Sequence, residues 1–522
     1  MLVSCDKSLV LIRDDNTGSA LFDSVRSKDK LRVWPVDASN PAAMPPPVDY
    51  SVAVDVPFES HDTTPILIIS GTKILLAELQ HQSSPVPRYL PVEGTPTRVI
   101  YSEHLQCLVA AVNKDGKPTL MFIDPDTGED LGRPIDKKLN TDVDFISGLG
   151  KEGDRIHGLT EWRFEKDRTY WRYILVSTKS GRMIVVSTAK ETRETGPPLI
   201  RYWMQFQRKG FDRPVYSVIG FDQGLIYCVG QTVYWDLLDT VDKKLVNVKT
   251  FELGSPATCL SITNGKLIAL TSRESLEIIE HNRSPEGGGA LEQQIHVDPR
   301  ARNAIHMIEM AGTPPGEQNG SVVLLADRDC GVNGLWIPWE TPGRECEVVL
   351  EAELPTSIRK FRRGRTRPVW EQGYHGPKYG RLASTIDDAE ILGVSLDGSL
   401  YHFTMLNLNI WRLLRFIQNV AVTNEELSPF NHERVDYNNF NPEPVLDKAE
   451  GMQVDGDMLR RCLEKRALER LLSWPDHESR FFELLGDLED GVHTVGLVGP
   501  GARDQFFKIA YDILDYFLRP VL

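Results

Sequence analysis

Short apolar β-runs, each doubling back through a tight turn, constrain this chain more than any other feature. Ile66-Leu67-Ile68-Ile69 turns at Ser70-Gly71 into Lys73-Ile74-Leu75-Leu76. Tyr173-Ile174-Leu175-Val176 turns at Ser180-Gly181 into Met183-Ile184-Val185-Val186. The same grammar recurs at Gly230-Gln231, Asn264-Gly265 and Asp397-Gly398. Asn-Gly and Asp-Gly between β-rich runs signal hairpins, because a tight hairpin turn needs positive φ at its central residues. Gly181, Gly230 and Gly265 lie 49 and 35 residues apart. A period near 40 with two hairpins per unit fits the four-stranded blades of a β-propeller, and sandwich domains in series are the alternative. No WD-type signature accompanies the period.

Composition narrows the class. The 522 residues carry 59 basic and 74 acidic side chains, a net charge of −15, which argues against a wholly basic nucleic-acid coat. Hydrophobic residues make up 41 %, enough for at least one large core. The seven cysteines are scattered with no C-x₂-C pair, the usage of free thiols in a reducing compartment. No run approaches 18 consecutive apolar residues, so no membrane span is expected.

The pattern changes near Leu406. Leu406, Ile410, Leu413, Leu414 and Ile417 follow helical spacing. Three further helical segments are predicted over 458–474, from an N-cap at Asp476, and over 505–518. The expected organisation is a partial β unit over 1–90, a propeller of about seven four-stranded blades over 91–405 and a small helical C-terminal domain over 406–522. The helical stripe, with Leu459, Leu463, Phe482, Leu485, Phe506, Ile513 and Phe517, is expected to dock on the propeller.

Several strings then form a recognisable set: Thr95-Pro96-Thr97-Arg98-Val99-Ile100-Tyr101, Arg213-Pro214-Val215-Tyr216-Ser217-Val218, Ser275-Leu276-Glu277-Ile278-Ile279, Leu354-Pro355-Thr356-Ser357-Ile358 and Val454-Asp455-Gly456-Asp457-Met458-Leu459. In order and spacing they resemble the C-terminal region of the CPSF A subunit family. Its members are propeller subunits of damage-specific DNA-binding, cleavage/polyadenylation and splicing factor 3b complexes. The resemblance implies a non-enzymatic propeller scaffold in a nuclear complex acting on nucleic acid, of the DNA-repair or ubiquitin-ligase adaptor type. Alternatively it implies a direct nucleic-acid-binding subunit of an RNA-processing complex. It further implies a chain matching the C-terminal part of longer three-propeller relatives, without the cullin-contacting propeller.

Catalytic signatures are missing from the sequence: there is no G-x-S-x-G, H-E-x-x-H or P-loop string. No catalytic residue, metal site or cofactor is expected. Asp124-Pro125-Asp126-Thr127-Gly128-Glu129-Asp130 reads as a hairpin loop, His402 as an ordinary strand residue, and Asp455 and Asp457 as acidic groups at a helix start. One segment stands out by charge. Arg359, Lys360, Arg362, Arg363, Arg365 and Arg367 place six cations in nine residues, and Trp370, Tyr374 and Tyr379 follow among glycines. Guanidinium forks suit phosphates or carboxylates, and aromatic faces can stack on bases. This loop is the candidate contact with DNA, RNA or an acidic partner, against the alternative of a solvated loop pairing with the chain's own carboxylates. Trp162, Tyr170, Trp171, Trp203, Phe206, Trp336 and Trp339 divide between core packing and partner anchors.

Overall fold

The computed structural model describes residues 2–5, 8–12, 30–33, 35–37, 46–54, 63–80, 90–166, 168–193, 197–239, 242, 244–263, 265–280, 293–310, 320–341, 343–363, 390–404, 406, 408–428, 441–445, 449–488 and 502–518. Strands dominate, and most pair antiparallel with their neighbours in sequence.

Two three-stranded sheets come first. One holds β1 (Leu2–Cys5), β2 (Ser8–Ile12) and β3 (Lys30–Val33); the other holds β4 (Tyr50–Ala53), β5 (Thr63–Ser70) and β6 (Lys73–Gln80). A third sheet joins β7 (Thr95–Ser102), β8 (Cys107–Lys114) and β9 (Lys117–Ile123). Next, β10 (Gly132–Asp136) and β11 (Thr141–Asp142) attach to the outer edge of the following sheet, β12 (Ile156–Lys166), β13 (Thr169–Thr178), β14 (Met183–Glu191) and β15 (Leu199–Arg208). The β10–β15 pairing is parallel, with Gly132 opposite Ile200, and ties the third sheet to the fourth.

Two four-stranded sheets follow: β16 (Val215–Phe221), β17 (Gly224–Val229), β18 (Thr232–Asp239) and β19 (Lys244–Glu252), then β20 (Ala257–Thr263), β21 (Lys266–Thr271), β22 (Ser275–Glu280) and β23 (Gln293–Val297). A third has β24 (Ala304–Glu309), β25 (Gly320–Asp327), β26 (Gly331–Pro338) and β27 (Glu347–Glu353), and the last sheet has β28 (Ile358–Arg363), β29 (Glu390–Ser395) and β30 (Leu400–Thr404). Thus six sheets stand in series from Thr95 to Thr404 among the described residues, where the sequence reading expects about seven blades. The turn glycines behave as read: φ is +57° at Gly71, +74° at Gly181, +60° at Gly230, +74° at Gly265 and +88° at Gly398.

The cores lie between sheets. Side chains alternate faces along a strand. Leu225, Tyr227 and Val229 of β17 therefore pack with Trp162 and Leu175 of the preceding sheet. Ile226 and Cys228 pack with Leu260 and Leu267 of the next. Residues of β21 and β25 divide in the same way. Both faces of β17, β21 and β25 are thus buried, which is why these strands read as unbroken apolar runs. Each fully buried aliphatic or aromatic side chain contributes about 1.5–3 kcal/mol.

A backbone device repeats with the sheets. The first strand of each of the six sheets carries a bulge near its start, after Pro96, Ile156, Val215, Ala257, Ala304 and Ile358. In five of them the carbonyl just before that strand (Arg155, Pro214, Pro256, Asn303, Ser357) accepts from the amide just after the second strand (Lys179, Gly230, Ser272, Arg328, Leu396). These first strands neighbour one another in order, β7 against β12, then β16, β20, β24 and β28.

Among the described residues five α-helices follow the sheets: α1 (Leu408–Val422), α2 (Gly456–Glu464), α3 (Leu468–Leu471), α4 (Pro475–Gly486) and α5 (Ala502–Leu518). Asp455 caps α2, its carboxylate accepting from the amides of Asp457 and Met458. Two expectations are corrected. Trp474, not Asp476, is the N-cap of α4, since Pro475, with fixed φ and no N–H, takes the first helical position and leaves Asp476 in the first turn. The tail does meet the sheets, through a 3₁₀ turn, but among the described residues the apolar stripe buries within the tail itself. Leu459, Phe481, Leu485, Phe507, Ile513 and Phe517 bury against one another and against α1, in a core drawn wholly from residues after Thr404. The 3₁₀ turn Ala449–Met452 packs against β27, and Trp411 Nε1 donates to Met452 O at 2.9 Å. Among the described residues no helix is long and apolar enough to cross a membrane.

Candidate anion site on the inner strands

The basic segment begins as a strand and not as the loop expected. Ile358 and Phe361 of β28 are buried and fix its position. Phe361 packs edge-on to Phe403 at 5.6 Å, and its amide donates to His306 Nδ1 at 3.2 Å. This anchoring leaves Arg359, Arg362 and Arg363 exposed and Lys360 half-buried. Arg363 donates to the carbonyl of Glu309 on β24. Arg365, Arg367, Trp370, Tyr374 and Tyr379 lie outside the described residues.

Three groups that the sequence reading missed join this strand. Arg98 lies on β7, some 260 residues earlier, yet the Arg359 charge reaches its guanidinium. Two carbonyls orient it: Arg98 Nε donates to His157 O at 2.7 Å and Nη1 to Thr97 O at 2.8 Å. His306 comes from β24 and Cys259 from β20. Arg98, Cys259, His306 and Lys360 all stand at the same place in their sheets, immediately after the bulge of the first strand. A comparison of strand starts with one another would have lined them up.

Charge at this place is one-sided. Burial, then the charges of Arg362 and Arg98, push the Lys360 ammonium down to about 8, against a smaller opposing effect of Cys259 and with a further push from Arg359. Burial, then Lys360, Arg362, Arg359 and Arg98, hold His306 down at about 3, so it is neutral at physiological pH. Its Nδ1 accepts from Phe361, which places the proton on Nε2. Burial raises the Cys259 thiol to about 11. Burial and then Arg359 lower Arg98. Among the described residues no carboxylate pairs with Arg98, Arg359, Lys360 or Arg362, although elsewhere cations are matched, as in Arg302 with Asp298 and Glu351. In a chain of net −15 such a cluster suits an anion.

The aromatic candidates divide. Trp162 is buried, its Nε1 donating to Asp222 O at 2.8 Å. Tyr170, Trp171, Tyr173, Phe206 and His104 line an open cavity of about 530 Å³. Within it Trp171 stacks on Phe164 at 6.1 Å. The Asp124 carboxylate accepts from the amides of Asp126 and Thr127, closing its own turn, and His402 sits exposed on β30. No protein-family model matches the chain, and a search of curated proteins finds no match.

Proposed function

We propose that the chain is a β-propeller scaffold, without catalytic activity, that holds other protein subunits in a nuclear complex acting on nucleic acid. The observation that carries this reading is the serial arrangement of sheets whose cores lie between successive members. The first strands follow one another in order, and Arg98 of the first comes within electrostatic reach of Arg359 and Lys360 of the last. A ring built this way buries its sheet faces internally and leaves strand ends and loops for partners. The sequence resemblance supplies the nuclear setting and the DNA-repair adaptor class. Affinity purification from nuclear extract with mass spectrometry tests it. Partners in fixed stoichiometry are expected, and recovery of the chain alone would overturn the reading.

The cations on β28, of which Arg359, Lys360 and Arg362 have no carboxylate partner among the described residues, favour a second reading, direct binding of DNA or RNA in an RNA-processing complex. Titration of labelled single-stranded RNA and double-stranded DNA over a salt series tests it. Phosphate contacts give a log–log salt slope of roughly −0.7 to −0.9 per neutralised phosphate. Replacing Arg359 and Arg362 by Ala should flatten the slope by about two phosphates. No binding at low salt would dismiss this reading and leave the scaffold role standing.

A further inference from the structure

We propose that Arg98, His306 and Lys360, with Arg359 and Arg362 at the rim, form a receptor for a compact polyphosphate anion where the cations of β7 and β28 converge beside β24. The inference needs the convergence of these charges and not the scaffold role. Three separate strands supply the groups, so the site exists only in the folded chain. Arg98, Arg359, Lys360 and Arg362 bring four positive charges together, and none has a carboxylate partner among the described residues. Like charges held together and half-buried are costly, and a bound anion of several negative charges removes that cost. The site is also pre-organised. Two carbonyls hold Arg98, and the Phe361 amide holds His306 in the form whose Nε2 carries a proton. Phosphate oxygens accept from guanidinium forks, ammonium and imidazole N–H alike. A compact anion fits because the two central cations, Arg98 and Lys360, are half-buried, whereas an extended backbone would engage the exposed Arg359, Arg362 and Arg363.

Affinity should also depend on pH. Lys360 faces Arg98 on β7, Cys259 on β20 and His306 on β24, with Arg359 and Arg362 on its own strand. Only Lys360 changes charge near pH 8, since His306 titrates near 3 and Cys259 near 11. Binding should weaken as pH rises through 8 and Lys360 loses its proton.

The test is calorimetric titration of inorganic tripolyphosphate into the full chain at pH 7 and low salt. Saturable one-to-one binding is expected. Lys360→Met and Arg98→Gln should each weaken it about tenfold or more. Lys360→Arg should retain it, and Lys138→Gln, on an exposed turn, should leave it unchanged. Thermal melts of each variant confirm folding. A single-stranded oligonucleotide, titrated in parallel at equal phosphate, separates the two sources of phosphate and should bind more weakly than tripolyphosphate. Failure of tripolyphosphate to bind at millimolar concentration would overturn the proposal. So would binding indifferent to Arg98→Gln and Lys360→Met, or binding of the oligonucleotide alone.

Discussion

Lys360 shows how single residues here trade stability for chemistry. Its ammonium titrates near 8 in the folded chain, below the ordinary value of 10.5. Below pH 8 it is charged in both states, and the folded state bears the full cost. Between pH 8 and 10.5 the unfolded chain still binds the proton and the folded chain does not, so this group makes stability rise with pH across that window. Lys360→Met should therefore stabilise the chain at pH 7. After allowance for solvent at the half-buried ammonium the gain is about 1–2 kcal/mol, shrinking toward zero above pH 10. Denaturant melts at pH 7 and pH 10 check both sign and window. Gly220 is the opposite case, where packing alone decides. A Cβ there would stand 2.1 Å from Trp162 Cδ1 on the neighbouring sheet. Gly220→Ala should cost about 1–3 kcal/mol in a denaturant melt. The turn glycines were legible because a tight turn is a local demand. Arg98 was not, because its partners come from strands hundreds of residues away.

At the level of elements, the hairpins could be read from sequence and the partnerships between elements could not. Alternation and Asn-Gly or Asp-Gly turns specify β20 with β21 and β29 with β30 within a dozen or so residues. Nothing local marks the parallel pairing of β10 with β15, which spans some 70 residues. The basic run was visible as charge. Its strand character was hidden because only the buried Ile358 and Phe361 carry the apolar signal of β28. The bulge that repeats through the sheets left no residue signature, since register and not side-chain identity defines it. The helical stripe was read correctly as apolar, but its destination was not, because amphipathicity names the buried face and not what covers it. The structure makes the helices their own cover. A fragment spanning 406–522 should therefore be helical and melt cooperatively by circular dichroism. Phe481→Ala, at a fully buried ring, should lower its stability by about 3–5 kcal/mol. A fragment without cooperative melting would show that the sheets are needed after all. Asp455→Ala in the same fragment should cost about 1 kcal/mol through the lost cap.

For the whole molecule, a closed ring requires the first and last of the six sheets to meet. The propeller scaffold and the polyphosphate receptor both follow from that meeting, and neither is available to a row of sheets with open ends. Such a meeting would carry an energetic signature, because Arg98 and Lys360 are separated by 262 residues and the Arg98 charge is among the causes that lower the Lys360 ammonium. A double-mutant cycle on Arg98→Gln and Lys360→Met, read by denaturant melts at pH 7 and low salt, isolates that repulsion from the hydrogen bonds that Arg98 loses to His157 and Thr97. Removing either charge relieves the same repulsion, so the double variant should fall short of the sum of the two single effects by about 0.5 kcal/mol or more, and the shortfall should shrink with added salt. Additivity within about 0.3 kcal/mol at low salt would place the two residues apart and contradict a closed ring.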